Sequence, residues 1–130
     1  MDREVLKKIT YGLYIVTSMD GDRINGQIVN TVFQITSEPI SIAISINKEN
    51  LTHEFIEKSG LFSVSVLSTD ATMDLIGKFG FKSGREQDKF SEVEYSLTSE
   101  GLPVVLEESL AYLTAQVTDE MDAGTHTIFL

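Results

Sequence analysis

Polar residues interrupt an otherwise apolar extended stretch in the first third of this 130-residue chain. Asn25-Gly26-Gln27 is followed by Asn30-Thr31-Val32-Phe33-Gln34. Amides are depleted within strands because their donors and acceptors must be satisfied when they are buried. A heterocycle whose edge alternates donors and acceptors would satisfy them, so this segment predicts contact with such a ring. Solvation of the amides on an edge strand is the alternative.

A second polar segment, 45–52, lies where a predicted strand ends and a predicted helix begins. It combines a hydroxyl, several amides and the cation of Lys48. The free N–H groups at a helix N-terminus, together with a lysine, are suited to a phosphate. Asn50 and Thr52 are also good helix caps, so a purely structural role is the alternative.

A third segment places aromatic residues, glycines and an arginine within seven positions, Phe79-Gly80-Phe81-Lys82-Ser83-Gly84-Arg85, and is closed by Asp88-Lys89-Phe90. Glycine lets the backbone approach a ligand, Arg85 offers a planar fork for phosphate, and the phenylalanines offer stacking surface. This combination predicts a site for a phosphorylated aromatic ligand. A mobile loop that covers an edge of the core is the alternative.

The charge balance excludes one large class of function. The formal net charge is −10, which argues against nucleic-acid binding because duplex binding needs many contacts from Lys and Arg to phosphate. The basic residues are also clustered, since Lys78, Lys82, Arg85 and Lys89 fall within twelve positions. Such a group on an acidic protein is compatible with a small-anion site or with an ordinary solvated loop.

Composition bounds the protein's class and location. Apolar residues make up 42% of the chain, which is typical of a globular domain, and no stretch approaches the length of a membrane span. The first residues include acids and no apolar segment follows them, so we expect no secretory signal. Cysteine is absent, which excludes thiolate chemistry and is compatible with a reducing cytoplasm. We therefore expect a cytoplasmic protein without membrane partners.

Common catalytic and nucleotide-binding motifs are missing. The chain contains no GxGxxG after a strand, no Walker loop, no HExxH and no CxxC. His53 and His126 lie far apart and form no metal-binding pattern. Hydrolase and metalloenzyme functions are therefore poorly supported.

Hydrophobic spacing predicts the elements that position these segments. In Ile40–Ile46 the isoleucines at even positions share one face, which should pack into a core, while the other face is small enough for a ligand to approach. Strands are predicted over 13–19, 23–36 with a break near Asn25-Gly26, 40–46, 61–67, 110–118 and 125–130. Short helices are predicted over 3–9, from Asn50 to Lys58, and over 70–77, with a basic loop over 79–90. About six strands without regular βαβ alternation predict an antiparallel barrel.

In this combination and order the three segments resemble the flavin reductase-like family, whose fold is the FMN-binding split barrel. The nearest branch includes flavoredoxin and the flavin domains attached to rubredoxins in anaerobes. The resemblance covers nearly the whole chain, so 1–130 is expected to be a single domain. It implies a mainly β protein, an antiparallel split β-barrel of about six strands with two or three short helices.

The resemblance also implies a cofactor and the residues that bind it. FMN is expected rather than FAD, with NAD(P)H as co-substrate. Three groups of cofactor-binding residues are implied: Gln27, Asn30 and Thr31 at the isoalloxazine ring, Ser45, Asn47, Lys48 and Thr52 along the ribityl chain and phosphate, and Ser83, Gly84 and Arg85 on the phosphate side.

His126 occupies the position where family members often carry a histidine near the flavin and nicotinamide. The residue before it is usually acidic, and here it is Thr125, so a structural histidine is the alternative. His53 is expected on the surface. Family members continue past the strand that holds His126, whereas this sequence stops at Leu130, which is compatible with a domain truncated at its C-terminus.

Three functional hypotheses follow. The first is an NAD(P)H:flavin oxidoreductase, a homodimer with flavin at or near the subunit interface, in which no side chain is needed as an obligatory acid or base. The second is an electron-transfer flavoprotein that keeps its FMN and serves a rubredoxin-type or flavodiiron partner. The absence of cysteine excludes an Fe–S or rubredoxin centre in this chain, so such a partner would have to be separate. The third is a barrel without a cofactor that acts as an interaction module.

Overall fold

Antiparallel strands dominate the computed structural model, which describes residues 3–8, 12–68, 73–80, 88–91 and 93–130. Over these ranges the strands are β1 (Tyr14–Asp20), β2 (Arg23–Val29), β3 (Val32–Ser37), β4 (Ile40–Asn47), β5 (Leu61–Leu67), β6 (Tyr95–Leu97), β7 (Pro103–Val105), β8 (Ser109–Gln116), β9 (Glu120–Asp122) and β10 (His126–Phe129). The helices are α1 (Leu51–Ser59), α2 (Met73–Gly80) and a 3-10 helix (Arg3–Lys8). Among the described helices none is long and apolar enough to cross a membrane.

Two four-stranded sheets form the body of the fold. The first has the order β2-β1-β5-β8, the second has the order β3-β4-β10-β9, and β6 and β7 form a separate hairpin. The chain passes from the first sheet to the second at Asn30–Thr31, between β2 and β3. The predicted mainly β, antiparallel split barrel is confirmed. The described ranges hold ten strands rather than six, because the predicted segment 23–36 forms two strands, β2 and β3, and because β6, β7 and β9 have three residues each and are too short to show a period.

The main core lies between the two sheets. Ile44 and Ile46 of β4 are fully buried there, against Phe62 and Val64 of β5. Alternation along β4 therefore sets the core face as predicted. The prediction that Ile40 shares this face of the core is wrong, because Ile40 lies at the turn of the β3–β4 hairpin and is 79% exposed.

A second core covers the opposite face of the first sheet. Ile15 of β1 packs there with Leu75 and Phe79 of α2, and the rings of Phe79 and Phe90 lie 5.4 Å apart, edge to face. The predicted helix over 70–77 and loop over 79–90 need correction. Helix α2 extends to Gly80, since Phe79 has an apolar surface to cover.

Strand β2 continues through the break predicted at Asn25-Gly26. Asn25 pairs with Ser18 and Gly26 pairs with Thr17 in the ladder with β1. The buried Asn25 amide is satisfied because its Nδ2 donates to Thr52 Oγ1 at 2.9 Å. A Cβ on Gly26 would lie 3.1 Å from a Thr17 methyl and 3.2 Å from the Phe79 ring. Glycine is therefore required here for close packing and does not mark a turn.

Helix α1 links the two sheets and has the predicted ends. It follows Asn50, whose backbone is extended (φ −80°, ψ 143°) and whose side chain makes no capping hydrogen bond. It ends at Gly60, which has φ 72° and donates its N–H to Ile56 O at 2.8 Å. Glycine adopts this left-handed conformation without steric cost.

Candidate functional site

A cleft of about 230 Å³ opens where β2, β4 and β10 end close together. Six of the side chains predicted to bind flavin or to lie beside it line this cleft, and they come from three separate parts of the sequence. The lining residues are Gln27, Ile28, Val29, Asn30, Thr31, Ser45, Asn47, Asn50 and His126. The fold thus brings together polar residues that span one hundred positions.

Strand pairing places these residues with little freedom. Ser45 alternates with the core residues Ile44 and Ile46, so its hydroxyl faces away from the core. His126 pairs with Asn47 in the antiparallel ladder between β4 and β10. The Ser45 N–H lies 3.4 Å from Thr31 O, which joins the β2–β3 connection to β4. The cleft is therefore held by backbone hydrogen bonds within the second sheet and from that sheet to the β2–β3 connection.

Gln27 carries an unsatisfied polar atom in this cleft. Its Oε1 is buried and has no hydrogen-bond partner among the described residues. Leaving a buried acceptor unpaired costs about 1–3 kcal/mol, so such atoms are rare unless a ligand or water satisfies them. The neighbouring Asn30 and Asn47 differ, because Asn30 Oδ1 accepts from the Thr31 hydroxyl and Asn47 Oδ1 accepts from the Glu49 N–H. Gln27 Oε1 is the acceptor that a bound N–H donor would complete.

His126 lies at the side of the cleft, half-buried at the start of β10. Its Nδ1 is 2.8 Å from the Thr125 hydroxyl. Thr125 O in turn accepts the Lys48 N–H at 3.0 Å, which fixes the turn before β10. A hydroxyl thus lies beside the imidazole at the position where the resemblance led us to expect an acidic residue.

Two predicted residues lie away from the cleft lining. Thr52 is fully buried beneath β2, and its hydroxyl accepts from Asn25. The Lys48 side chain is exposed, and its Nζ lies 2.6 Å from Asp122 Oδ1 on β9. The hydrogen bond from Lys48, with that from the Gly124 N–H, lowers the pKa of Asp122. Both residues therefore brace the elements around the cleft in this structure, and their predicted contact with a ribityl phosphate stays a prediction.

The predicted phosphate residues Ser83, Gly84 and Arg85 lie outside the described residues. Their role remains a prediction from the sequence. Residues on both sides of this segment are described. Lys89 Nζ donates to Gly26 O of β2, and Phe79 packs in the second core with Phe90 and with Ile28 of β2.

His53 is not the surface residue that the sequence suggested. Its side chain is 12% exposed, its Nε2 lies 2.8 Å from the Thr127 hydroxyl, and its ring packs against Phe129. Burial lowers the pKa of His53, an effect that Glu120 opposes and Lys48 reinforces. The sequence carries no spacing signal for this contact, because only the pairing of β10 with β4 brings Thr127 to α1.

Asn50 is a cleft residue that the sequence indicated only as a helix cap. Its side chain makes no cap hydrogen bond, and the residue lines the cleft beside Asn47. Its position at the start of α1, three residues after Asn47, is the signal that could have placed it there.

The fold, with its two antiparallel sheets and short helices, defines a class of protein, the split β-barrels. The sequence pattern of the flavin reductase like domain matches residues 6–130. The chain therefore belongs to the flavin reductase-like domain family, as the resemblance predicted.

Two characterised relatives align with the whole chain. It is 56% identical over 130 residues to high molecular weight rubredoxin from Moorella thermoacetica, of which it spans 57%. It is 50% identical over 130 residues to ferric-chelate reductase (NAD(P)H) from Archaeoglobus fulgidus, of which it spans 77%. The chain thus covers little more than half of the first of these relatives.

A solved structure shares the architecture. An FMN-binding protein from Thermus thermophilus superposes with a TM-score of 0.83 at 25% sequence identity. The superposition covers 94% of this chain and 69% of that one.

Proposed function

We propose that this protein binds FMN in the cleft between β2, β4 and β10 and transfers hydride or electrons between NAD(P)H, the flavin and an acceptor. The observation that carries the proposal is the buried Oε1 of Gln27, which has no partner among the described residues and belongs to a residue that lines a cleft of amides, hydroxyls and an imidazole. These groups suit a heterocycle with both donors and acceptors on its edge. Family membership and the similarity to an FMN-binding protein support the same cofactor.

Different residues of the chain would bind different parts of FMN. Gln27, Asn30 and Thr31 would face the ring, with Gln27 Oε1 accepting from a ring N–H. Ser45 and Asn47, beside the start of α1, would face the ribityl chain, and Arg85 with Lys48 would supply charge for the phosphate. Thr52 would contribute by holding Asn25 beneath β2.

Bound FMN supplies the hydride and electron chemistry, and the protein orients the reactants and limits access of water. His126, oriented through Nδ1 by Thr125, would contact the nicotinamide at the mouth of the cleft. The buried residues on the core side of β4 close the back of the site. No described side chain is required to act as an acid or base.

A homodimer forms part of this proposal. Apolar side chains are exposed along the β3–β4 hairpin and on β8, beside a second groove of about 460 Å³. They are Phe33, Ile35, Ile40, Leu110 and Tyr112, with exposed fractions from 46% to 79%. Large exposed apolar side chains mark interaction sites, and we propose that a second copy of the chain covers these. The cleft lined by one chain is also smaller than the 300–1,000 Å³ of a usual ligand pocket, so a second copy would complete it.

The second candidate is an electron carrier with tightly held FMN, and the similarity to a rubredoxin protein favours it. A rubredoxin-type centre would lie outside these 130 residues, which contain no cysteine to bind its iron. Turnover separates the candidates, since a reductase oxidises NAD(P)H rapidly with free FMN as acceptor whereas a carrier turns over slowly. The name of the Archaeoglobus relative makes ferric chelates a second acceptor to test.

The proposal also includes the domain organisation and the location of the protein. We propose that residues 1–130 form a single domain and that the protein is cytoplasmic.

The direct test is the visible absorption spectrum of the purified protein, followed by a fluorescence titration with FMN and with FAD. We expect stoichiometric binding of FMN, quenched flavin fluorescence and reduction of the bound flavin by NADH or NADPH. A colourless protein that leaves the FMN spectrum unchanged would contradict the proposal and favour the barrel without a cofactor.

A further inference from the structure

His53 joins helix α1 to strand β10. Its side chain is 12% exposed, and its Nε2 lies 2.8 Å from the Thr127 hydroxyl, across 74 positions of the sequence. The centroid of its ring lies 5.3 Å from that of the Phe129 ring. Since Thr127 and Phe129 both belong to β10, the imidazole ties this strand to the first turn of the helix.

Both elements tied by His53 carry cleft residues next to the contact. On the strand side, Thr127 directly follows His126, which lines the cleft. On the helix side, the His53 N–H donates to Asn50 O at 3.1 Å, and Asn50 also lines the cleft. His53 is therefore adjacent to cleft residues on both sides, although it is not itself among the residues that line the cleft.

The titratable groups around His53 come from the elements that surround it. They are Glu57 on α1, Lys48 before α1, Glu120 on β9 and His126 on β10, whereas β4 contains none. Glu57 Oε1 lies 3.8 Å from His53 Nε2 and is the nearest of the carboxylates. Glu120 is hydrogen-bonded to Glu57, so the two carboxyl groups lie together beside the ring.

The Nε2 atom of His53 thus has a neutral partner on β10 and an acidic one on its own helix. A neutral imidazole can donate to the Thr127 hydroxyl or accept from it. An imidazolium can only donate, and a carboxylate is its stronger acceptor, because charge-assisted hydrogen bonds are about twice as strong as neutral ones. Protonation therefore favours Glu57 over Thr127, and a small movement of the ring exchanges the two partners.

The burial of His53 keeps the bond to Thr127 in place at neutral pH. Burial lowers the pKa of His53 below 6.5, an effect that Glu120 opposes and Lys48 reinforces. The ring is therefore neutral at pH 7 and takes up its proton as the pH falls through the lowered pKa. The charge is then stabilised by the carboxyl groups of Glu57 and Glu120, on the more exposed side of the ring.

We propose that His53 is a proton-controlled positioning residue: the neutral ring bonds to Thr127 and holds β10, with His126, against α1, and the protonated ring bonds to Glu57 and releases β10. The consequence for activity rests on the proposed function, in which His126 contacts the nicotinamide. Loss of the bond to Thr127 should then slow reduction of the flavin, because His126 is less firmly positioned.

The first experiment is an NMR titration of the flavin-free protein from pH 7.5 to 5, which follows the rings of the two histidines and the backbone amides of β10. In the wild type we expect the β10 amides to shift along the curve of the His53 ring. In Thr127→Val, which keeps the shape of the side chain without the hydroxyl, the His53 ring should still titrate while the β10 amides no longer follow it. The matched control Thr114→Val, at an exposed position of β8, should behave as the wild type does.

The second experiment is stopped-flow reduction of the bound flavin at low NAD(P)H concentration over the same pH range. The rate for the wild type should fall as His53 takes up its proton. His53→Gln can bond to Thr127 at every pH and should lose less of its rate than the wild type. Thr127→Val lacks the bond and should be about 3- to 10-fold slower already at pH 7.5, the effect of one lost hydrogen bond.

The two experiments separate this inference from the proposed function. A wild type that does not bind FMN would overturn the proposed function, while the NMR titration would still decide whether His53 positions β10. The inference alone is overturned if the His53 ring takes up no proton above pH 5, or if the β10 amides follow it equally in Thr127→Val. If Thr127→Val does not fold, His53→Gln decides, because its β10 amides should lose the inflection that the wild type shares with the His53 ring.

Discussion

At the scale of single residues, the cleft combines satisfied and unsatisfied polar groups. The Asn25 amide donates to Thr52 beneath β2, whereas Gln27, two residues later, has a buried acceptor without a partner in the described part of the chain. A site that must admit a ligand has to leave some hydrogen-bonding groups unused in the free protein. Substitution of Gln27 should therefore change the stability of the flavin-free protein and the affinity for FMN in opposite directions.

Gln27→Met, which keeps the length of the side chain, should raise the free energy of unfolding of the flavin-free protein by about 1 kcal/mol, because it removes a buried unpaired acceptor. It should also weaken FMN by about 3- to 10-fold, the effect of one lost hydrogen bond. Denaturant unfolding and flavin titration measure the two effects. Gln116→Met at the exposed end of β8 is the control and should change neither. Equal affinity for FMN in both variants would remove Gln27 from the ring-binding set.

His126→Asn should leave FMN retention unchanged and slow reduction of the flavin by NAD(P)H. Asparagine keeps a polar group near Thr125 but lacks the imidazole ring at the cleft mouth. Stopped-flow reduction at several nicotinamide concentrations measures the effect, and the flavin content of the purified variant is the control. Identical rates for wild type and variant would assign His126 a structural role.

At the scale of elements, α1 and β10 are joined by a titratable contact on the side of β10 opposite His126. The His53 ring lies between α1 and β10, where Nε2 meets the Thr127 hydroxyl and Glu57 Oε1 lies 3.8 Å away. Glu120 and Lys48 also influence its titration. A change in the protonation of His53 alters its contact with Thr127 and therefore affects β10, the strand that carries His126.

The pKa of His53 gives a prediction for stability. Burial lowers this pKa below 6.5 in the folded protein, so the unfolded chain binds more protons as the pH falls. The stabilisation from neutral His53 is therefore complete above pH 6.5 and is lost as the pH falls through the folded pKa. Melting temperatures from pH 7.5 to 5 should decrease more steeply for the wild type than for His53→Gln, which can keep the bond to Thr127. Parallel curves would show that His53 titrates alike in both states.

At the scale of the whole molecule, the exposed apolar face makes a prediction about assembly. Ile40 and Tyr112 are 79% and 57% exposed in one chain. If a second copy covers them, a buried aspartate at either position would oppose association, and in a symmetric dimer each substitution enters twice. Ile40→Asp should therefore convert a dimer to a monomer in sedimentation velocity at micromolar protein.

Leu97→Asp provides the control for this experiment. Leu97 is 56% exposed but lies on the separate β6–β7 hairpin, so the variant should stay dimeric. A wild type that sediments as a monomer with FMN bound would contradict the proposed dimer. If Ile40→Asp and Leu97→Asp both dissociate the dimer, the interface does not lie on the exposed apolar face of the β3–β4 hairpin and β8.

Local patterns determined much of this protein before any tertiary information. Alternation in Ile40–Ile46 defined the β4 strand and put Ile44 and Ile46 in the core, and Asn50 with Gly60 bounded α1. The polar residues of β2, of the β2–β3 connection and of β4, with the family resemblance, predicted six of the residues that line the cleft. Such features are readable because periodicity, caps and amide burial depend on a few neighbouring residues.

The partners of individual side chains were decided only by the tertiary structure. Thr52 meets Asn25, Lys48 meets Asp122, and Lys89 meets Gly26, each across 27 or more positions. No local spacing encodes these contacts, because they arise where separate elements pack. For the same reason the burial of His53 and the unpaired oxygen of Gln27 followed from the fold, while the residue types suited to a flavin were already present in the sequence.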